Sequence, residues 1–153
     1  MENGALEYQQ DGFTISTDRA RMDVDVIHHY LSQDSYWAKN IPREIVERSI
    51  QNALCFGIFT AERQVGFARV ISEYASFAFL GDVFILPDYR GRGLSKWLVA
   101  CIQSHPDLQG LRAWMLVTRD AQGLYAQFGF QPLANPEKFM QIRMINPYGG
   151  GVV

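Results

Sequence analysis

Asp82-Val-Phe-Ile-Leu-Pro-Asp-Tyr-Arg-Gly-Arg-Gly-Leu-Ser-Lys-Trp-Leu-Val-Ala-Cys-Ile102 is the stretch that decides the fold. Val83 to Leu86 form an unbroken apolar run, the pattern of a strand covered on both faces. Pro87 has no N–H for a sheet ladder and ends it. Beyond Gly93 the apolar residues Leu94, Trp97, Leu98, Cys101 and Ile102 fall at helical spacing, which predicts an amphipathic helix. The loop Arg90-Gly91-Arg92-Gly93 therefore brings free backbone N–H groups to a helix N-terminus. With the helix dipole and two arginines, this is an anion site of the kind that suits a phosphate or pyrophosphate.

Spacing excludes two well-known phosphate loops. The chain has neither G-x-G-x-x-G nor a Gly-Lys-Ser/Thr run at this position. What it has is R-x-x-G-x-[GA]-like spacing, in Arg90, Gly93 and Ser95, directly after a V-F-I-L-P strand. This arrangement resembles motif A of the GNAT superfamily of N-acetyltransferases, which seats the pyrophosphate of acetyl-CoA. Downstream, Leu124-Tyr-Ala-Gln-Phe-Gly-Phe130 resembles motif B of the same superfamily, L-Y-x-x-x-G-F, at the expected distance. Family members often carry Asn seven residues before that tyrosine, where this chain has Thr118.

Working outward, Gly12–Thr17 alternates as a short strand, and Asp23 can cap a helix with Val24, Ile27, Tyr30 and Leu31 on one side. A loop containing Tyr36 and Trp37 leads to Pro42, which opens a second helix. Cys55–Thr60 and Val65–Ser72 read as a hairpin. Ser76–Leu86 reads as a longer strand with a bulge near Gly81. After the central helix, Arg112–Thr118 predicts a strand and Ala121–Phe128 a helix ended by Gly129. Phe130–Leu133 and Phe139–Ile145 predict the last strands. Met1–Gln10 and the tail from Asn146 read as loose. The expected fold is α+β and GNAT-like: a central mixed, mostly antiparallel sheet flanked by helices, in a single domain over 1–153 with an ordered core of about 12–145.

Composition narrows the field. The chain of 153 residues is 48% apolar and 20% charged, which fits a folded globule. A formal charge of −2 gives no electrostatic footprint for nucleic acid or an anionic membrane. Cys55 and Cys101 read as small core residues, so neither a disulfide framework nor a metal site is expected. No apolar run approaches membrane-spanning length, and no signal pattern is seen. A cytoplasmic setting is the expectation.

The resemblance implies acetyl-CoA as co-substrate, without a metal, and direct transfer to a primary amine. It implies that Arg90, Gly91, Arg92, Gly93, Leu94 and Ser95 hold the pyrophosphate. It further implies that the backbone of Phe84, Ile85 and Leu86 holds the pantetheine, with Thr118 replacing part of the usual asparagine contact. Tyr125 is the implied donor to the departing thiolate.

A lysine-like amine of pKa ~10.4 is almost wholly protonated near neutrality, so it must lose a proton before attack. Asp82, in a strand interior, is expensive unless paired or working. It is expected either to accept that proton, directly or through water, or to bond to neighbouring backbone donors. Glu73 is a weaker candidate, and a water chain is a third route. Tyr36 and Trp37 fall where the family's acceptor site varies, either as a wall or cation–π surface for the amine or as loop packing. His28 and His29 are adjacent on a helix and point apart, and His105 before Pro106 reads as a helix stop.

A small-molecule amine is favoured over a protein as acceptor, with amino acids, polyamines, aminoglycoside-like antibiotics and protein amino groups all open. Dimers are frequent in the superfamily, so a homodimer is allowed. The alternatives are a non-catalytic acyl-CoA-binding regulatory module on the same scaffold and a protein-modifying acetyltransferase.

Overall fold

The computed structural model describes residues 4–149. Six strands form one sheet in sequential order: β1 (Glu7–Gln10), β2 (Phe13–Ser16), β3 (Leu54–Phe59), β4 (Gln64–Ser72), β5 (Phe77–Ile85) and β6 (Ala113–Leu116). All neighbours are antiparallel except β5 and β6. That parallel pair needs a crossover, supplied by α3 (Leu94–Ser104). The other helices are α1 (Val24–His29), α2 (Arg43–Gln51) and α4 (Gln122–Ala126). None of the helices is long and apolar enough to cross a membrane among the described residues.

Strand alternation divides the core in two. Along β3, Phe56 and Ile58 join a cluster with Leu98, Val99 and Ile102 of α3. Cys55 and Phe59 join the opposite cluster, with Ile27 of α1 and Val46 and Ile50 of α2. A central strand is thus apolar on both faces, as its unbroken run requires. Asp23 caps α1, its carboxylate accepting from the Val26 N–H at 3.2 Å. Pro42 precedes α2 as its N-cap. Both helix starts follow from residues that satisfy, or never had, the orphan N–H groups.

Two expectations are corrected. Met1–Gln10 is not uniformly loose, because Glu7–Gln10 forms β1. Asp11 (φ 51°) and Gly12 (φ 82°) turn the chain so that Gln10 pairs with Phe13. An edge strand can be polar, since the turn and ladder carry it, and Asp-Gly is the residue pair that favours such a turn. Met1–Asn3 lie outside the described residues.

The second correction is at the other end. Phe130–Leu133 and Phe139–Ile145 are in no strand ladder among the described residues. Their alternation is genuine, but alternation becomes a strand only where a partner edge is within reach. Of the tail, Tyr148 packs onto the α1–α2 cluster, and Gly149 C=O accepts from Asn40 Nδ2 at 2.8 Å. Gly150–Val153 lie outside the described residues.

Candidate active site

β5 and β6 pair only as far as Leu80–Leu116. Past that point β5 continues along β4 while β6 leaves it, so a slot opens beside Gly81–Ile85. The cause lies partly in β5 itself. Phe67 pairs with Phe84 but Arg69 with Gly81, so β5 carries one residue more than β4 across the bulge. The expected bulge is present, with its strained residue at Asp82 (φ 53°) rather than at Gly81. Aspartate is among the few residues that tolerate the left-handed region.

Asp82 is held firmly. Its Oδ2 accepts from Arg69 Nε at 2.5 Å and its Oδ1 from Trp37 Nε1 at 2.8 Å. Its partners are thus side chains, not backbone donors. With 9% of its side chain exposed against 22% for Arg69, the pair is largely removed from water. Asp82→Asn keeps an acceptor for Trp37 but leaves Arg69 without its counter-charge. We expect it to cost about 2 kcal/mol, less than a fully buried pair would. Chemical denaturation would read this as a lower midpoint at unchanged slope, and an unchanged midpoint would contradict it.

Glu73 has a different task. Its Oε1 accepts from the N–H groups of Ala75, Ser76 and Phe77, and its Oε2 from the Ser76 hydroxyl. These donors, led by the Ser76 and Phe77 amides, hold its carboxyl down to about 2. The carboxylate shapes the β4–β5 turn and is a poor base. Stability from a depressed carboxyl is present above its ordinary value, near 4.5, and is lost as pH falls towards 2. Glu73→Gln should therefore melt below wild type at pH 6, with the difference closing between pH 4.5 and 2. A difference that ignores pH would contradict this capping role.

At the glycine turn, Gly91 (φ 77°) and Gly93 (φ 76°) both take left-handed conformations. Gly93 is the N-cap of α3 and supplies no side chain to it. The first helical bond runs from Trp97 N–H to Gly93 C=O. The N–H groups of Leu94, Ser95 and Lys96 are therefore the unpaired donors of the first turn. The two arginines differ. Arg90 turns inward, donating from Nε to Ile85 C=O and from Nη2 to the Tyr30 hydroxyl, each at 3.0 Å. Arg92 stays at the surface, 5.6 Å above the Tyr89 ring.

Above the slot sits a loop of aromatics. α1 runs into a π-helical turn, Tyr30–Asp34, that hands the chain to Tyr36 and Trp37. Tyr30 stacks on Phe84 with ring centres 4.0 Å apart, a pairing worth about 1 kcal/mol beyond its burial. The Tyr36 hydroxyl accepts from Arg119 N–H at 2.9 Å, and the Arg119 guanidinium lies 3.8 Å over the Tyr36 ring. Tyr36 and Trp37 nevertheless remain 46% and 39% exposed, so each offers a face to a ligand.

Tyr125 projects from α4 and is buried. Burial, with Tyr36 nearby as the lesser cause, pushes its hydroxyl up to about 12. It stays protonated through neutral pH. The Thr118 hydroxyl accepts from the Ala121 N–H at 3.1 Å, at the start of α4.

These parts meet in one cavity of about 420 Å³. It brings together Tyr36, Trp37, Phe84, Ile85, Arg90, Ser95 and Tyr125 from the residues expected by sequence. Asp82, Leu86, Gly91, Arg92, Gly93, Leu94 and Thr118 do not line it. Gly91–Leu94 instead form the turn leading to Ser95 at its rim, and Asp82 stands behind Trp37. Several contributors escaped sequence reasoning, the carboxylates Asp34 and Asp120 of the cavity lining among them. Tyr30 and Arg119 line the cavity, and Arg69 anchors Asp82. Only Tyr30 carried a signal, its place on the inward side of the predicted helix.

Other reactive groups lie elsewhere. Burial pushes the thiols of Cys55 and Cys101 up to about 11, so thiolate is scarce near neutrality. His105 Nδ1 accepts from Asp107 N–H, and burial lowers its pKa. His28 Nε2 donates to Ile41 C=O at 3.0 Å.

Comparison with known proteins agrees with this geometry. The pattern defining the Acetyltransferase (GNAT) domain matches residues 51–132. A Gibberella zeae protein named as an acetyltransferase is 31% identical over 137 residues, covering 75% of this chain and 76% of its own. A crystal structure from Xanthomonas campestris pv. campestris, assigned to the GNAT family, is 51% identical with a TM-score of 0.88. The match covers 92% of this chain and 99% of that one. A Clostridium acetobutylicum protein, described as a predicted acetyltransferase and crystallised with acetyl-CoA, shares the fold at 10% identity and a TM-score of 0.64. That match covers 86% of this chain and 94% of the other. With the slot, the glycine turn and the domain pattern in agreement, the chain belongs to the GNAT family of acetyltransferases.

Proposed function

We propose that this acetyltransferase takes its acetyl group from acetyl-CoA and passes it directly to a primary amine, favouring a small molecule over a protein. The observation that carries the reading is the continuity of one cavity. It runs from Ser95, beside the unpaired amides of α3, along the β5 backbone to Tyr125, under the exposed faces of Tyr36 and Trp37.

In this reading the diphosphate accepts from the amides of the Gly91–Lys96 turn, where the helix dipole adds to the attraction. The pantetheine arm follows β5 in place of the missing β6 partner and bonds to the backbone at Phe84–Leu86. Thr118, whose hydroxyl accepts from the Ala121 N–H and retains an O–H that can donate, supplies part of the usual asparagine contact to that arm. An N–H near the bulge polarises the thioester carbonyl.

The neutral amine attacks the carbonyl carbon, the C–S bond breaks, and the sulfur leaves as thiolate beside Tyr125. The amine's surplus proton leaves through water. Asp82, committed to Arg69 and Trp37, is the positioning residue of the acceptor wall and only an indirect route for that proton. Cation–π attraction to Trp37 would hold the ammonium before it is deprotonated, the Tyr36 ring being already covered by Arg119.

The test is CoA release, followed by thiol detection, from acetyl-CoA with a panel of small amines and amine-terminated peptides. Turnover with a small amine supports the reading. Saturable acetyl-CoA binding with no turnover on any amine would favour the regulatory-module alternative.

A further inference from the structure

Arg119, in the lining of the cavity beside Tyr36, is fixed in position with most of its donors unspent. It follows β6, and its backbone N–H donates to the Tyr36 hydroxyl at 2.9 Å while its guanidinium lies 3.8 Å over the Tyr36 ring. A stacked guanidinium is held by its face, so its N–H groups stay free to meet a planar anion edge to edge. Its ion pair among the described residues is with Asp120, at 3.5 Å, between side chains 64% and 66% exposed. A contact that long and wet contributes little, and it engages few of the five donors. The other arginine of the cavity is different. Arg90 spends Nε and Nη2 on Ile85 C=O and the Tyr30 hydroxyl.

The opposite charge has its own place. The Asp34 carboxylate lines the same cavity and has no hydrogen-bond or ion-pair partner among the described residues. Trp37, its ring N–H tied to Asp82, presents an exposed ring that attracts a cation. The Tyr36 and Trp37 rings meet edge to face with centres 5.1 Å apart. The guanidinium on one ring and the cation surface of the other are therefore close enough for one small molecule to span. A second ammonium is disfavoured there, because Asp120 already faces Arg119, whose charge would repel it.

We propose that the acceptor is an amino acid, a small amine carrying a carboxylate, with the carboxylate against Arg119 and the amine against Trp37 and Asp34. The assignment rests on the acyl-transfer reading above and narrows its acceptor. The ammonium gives its proton to water and the nitrogen attacks the thioester carbonyl. The N–C bond forms as the C–S bond breaks, and the sulfur leaves as CoA thiolate. The N-acetyl product has lost its positive charge, and with it the attraction to Trp37 and Asp34, which favours release.

The test measures CoA release from acetyl-CoA with the common amino acids, each beside its carboxamide, and with simple diamines. For the acids that turn over, wild-type kcat/KM should exceed that of the matched carboxamide by about 10- to 100-fold, as one hydrogen-bonded contact between charged groups provides. Arg119→Gln keeps the backbone N–H that Tyr36 holds but removes the charge. It should raise KM for the acid far more than it lowers kcat, and cut the acid-to-carboxamide ratio by about 10-fold or more. Arg119→Lys, which keeps the charge without the fork, should recover part of that ratio. Carboxamides or diamines turned over as well as the acids would overturn the proposal and leave acyl transfer standing. A ratio unmoved by Arg119→Gln would do the same. Saturable acetyl-CoA binding without turnover of any amine would overturn both readings.

Discussion

Tyr125→Phe is expected to lower kcat by about 10- to 100-fold while leaving the acetyl-CoA dissociation constant within about twofold of wild type. The size follows from two acidities. A thiol ionises near 8.5, whereas burial holds the Tyr125 hydroxyl at about 12. Complete proton transfer from tyrosine to thiolate would be uphill by about 5 kcal/mol. The hydroxyl therefore serves as a hydrogen-bond donor to sulfur while negative charge builds. A bond to a charged acceptor in a dry site is worth about 1.5–3 kcal/mol. That is the loss the phenylalanine should show, and it should appear in kcat because the charge develops only as the C–S bond breaks. Steady-state kinetics at saturating acetyl-CoA reads it directly. An unchanged kcat would remove Tyr125 from the chemistry.

The second large effect belongs to the glycine turn. Gly93→Val should weaken acetyl-CoA binding by at least about 100-fold, equivalent to about 2.7 kcal/mol. A β carbon at Gly93 would meet nothing within 4 Å, so the substitution does not clash with the fold. What it disturbs is the left-handed conformation at φ 76°, where a side-chain-bearing residue costs roughly 1–2 kcal/mol and a β-branched one is an outlier. The turn would relax and its amides would cease to converge. Gly93→Asn, which tolerates that conformation, should lose less. Isothermal titration of both variants separates backbone geometry from occlusion. Equal affinities for wild type and Gly93→Val would show that the turn does not hold the coenzyme.

The two motif segments were legible because each packs a local rule into few residues. Val83–Leu86 needs burial on both faces, Pro87 ends the ladder, and Gly93 starts the helix whose face is Leu94, Leu98 and Ile102. The same holds for Tyr125 ahead of left-handed Gly129. What could not be read depends on contacts between distant elements. The Arg69–Asp82–Trp37 network joins residues from β4, β5 and the loop after α1, and no spacing within any one of them announces it. The inward turn of Arg90 onto Tyr30 is similar, because the sequence offers two arginines as equals and only packing distinguishes them. β1 went unread because its residues are polar, although the Asp11-Gly12 turn was there to mark it. Phe139–Ile145 has the alternation of a strand, but pairing is a property of the edge it meets, not of the segment alone.

A crystal structure of the CoA complex would show whether the glycine turn and the slot hold the coenzyme. The diphosphate is expected within hydrogen-bonding distance of the Leu94, Ser95 and Lys96 amides, and the thiol in the slot beside Val83–Ile85, facing Tyr125. Coenzyme bound elsewhere, with that turn empty or the slot filled by side chains, would contradict that placement.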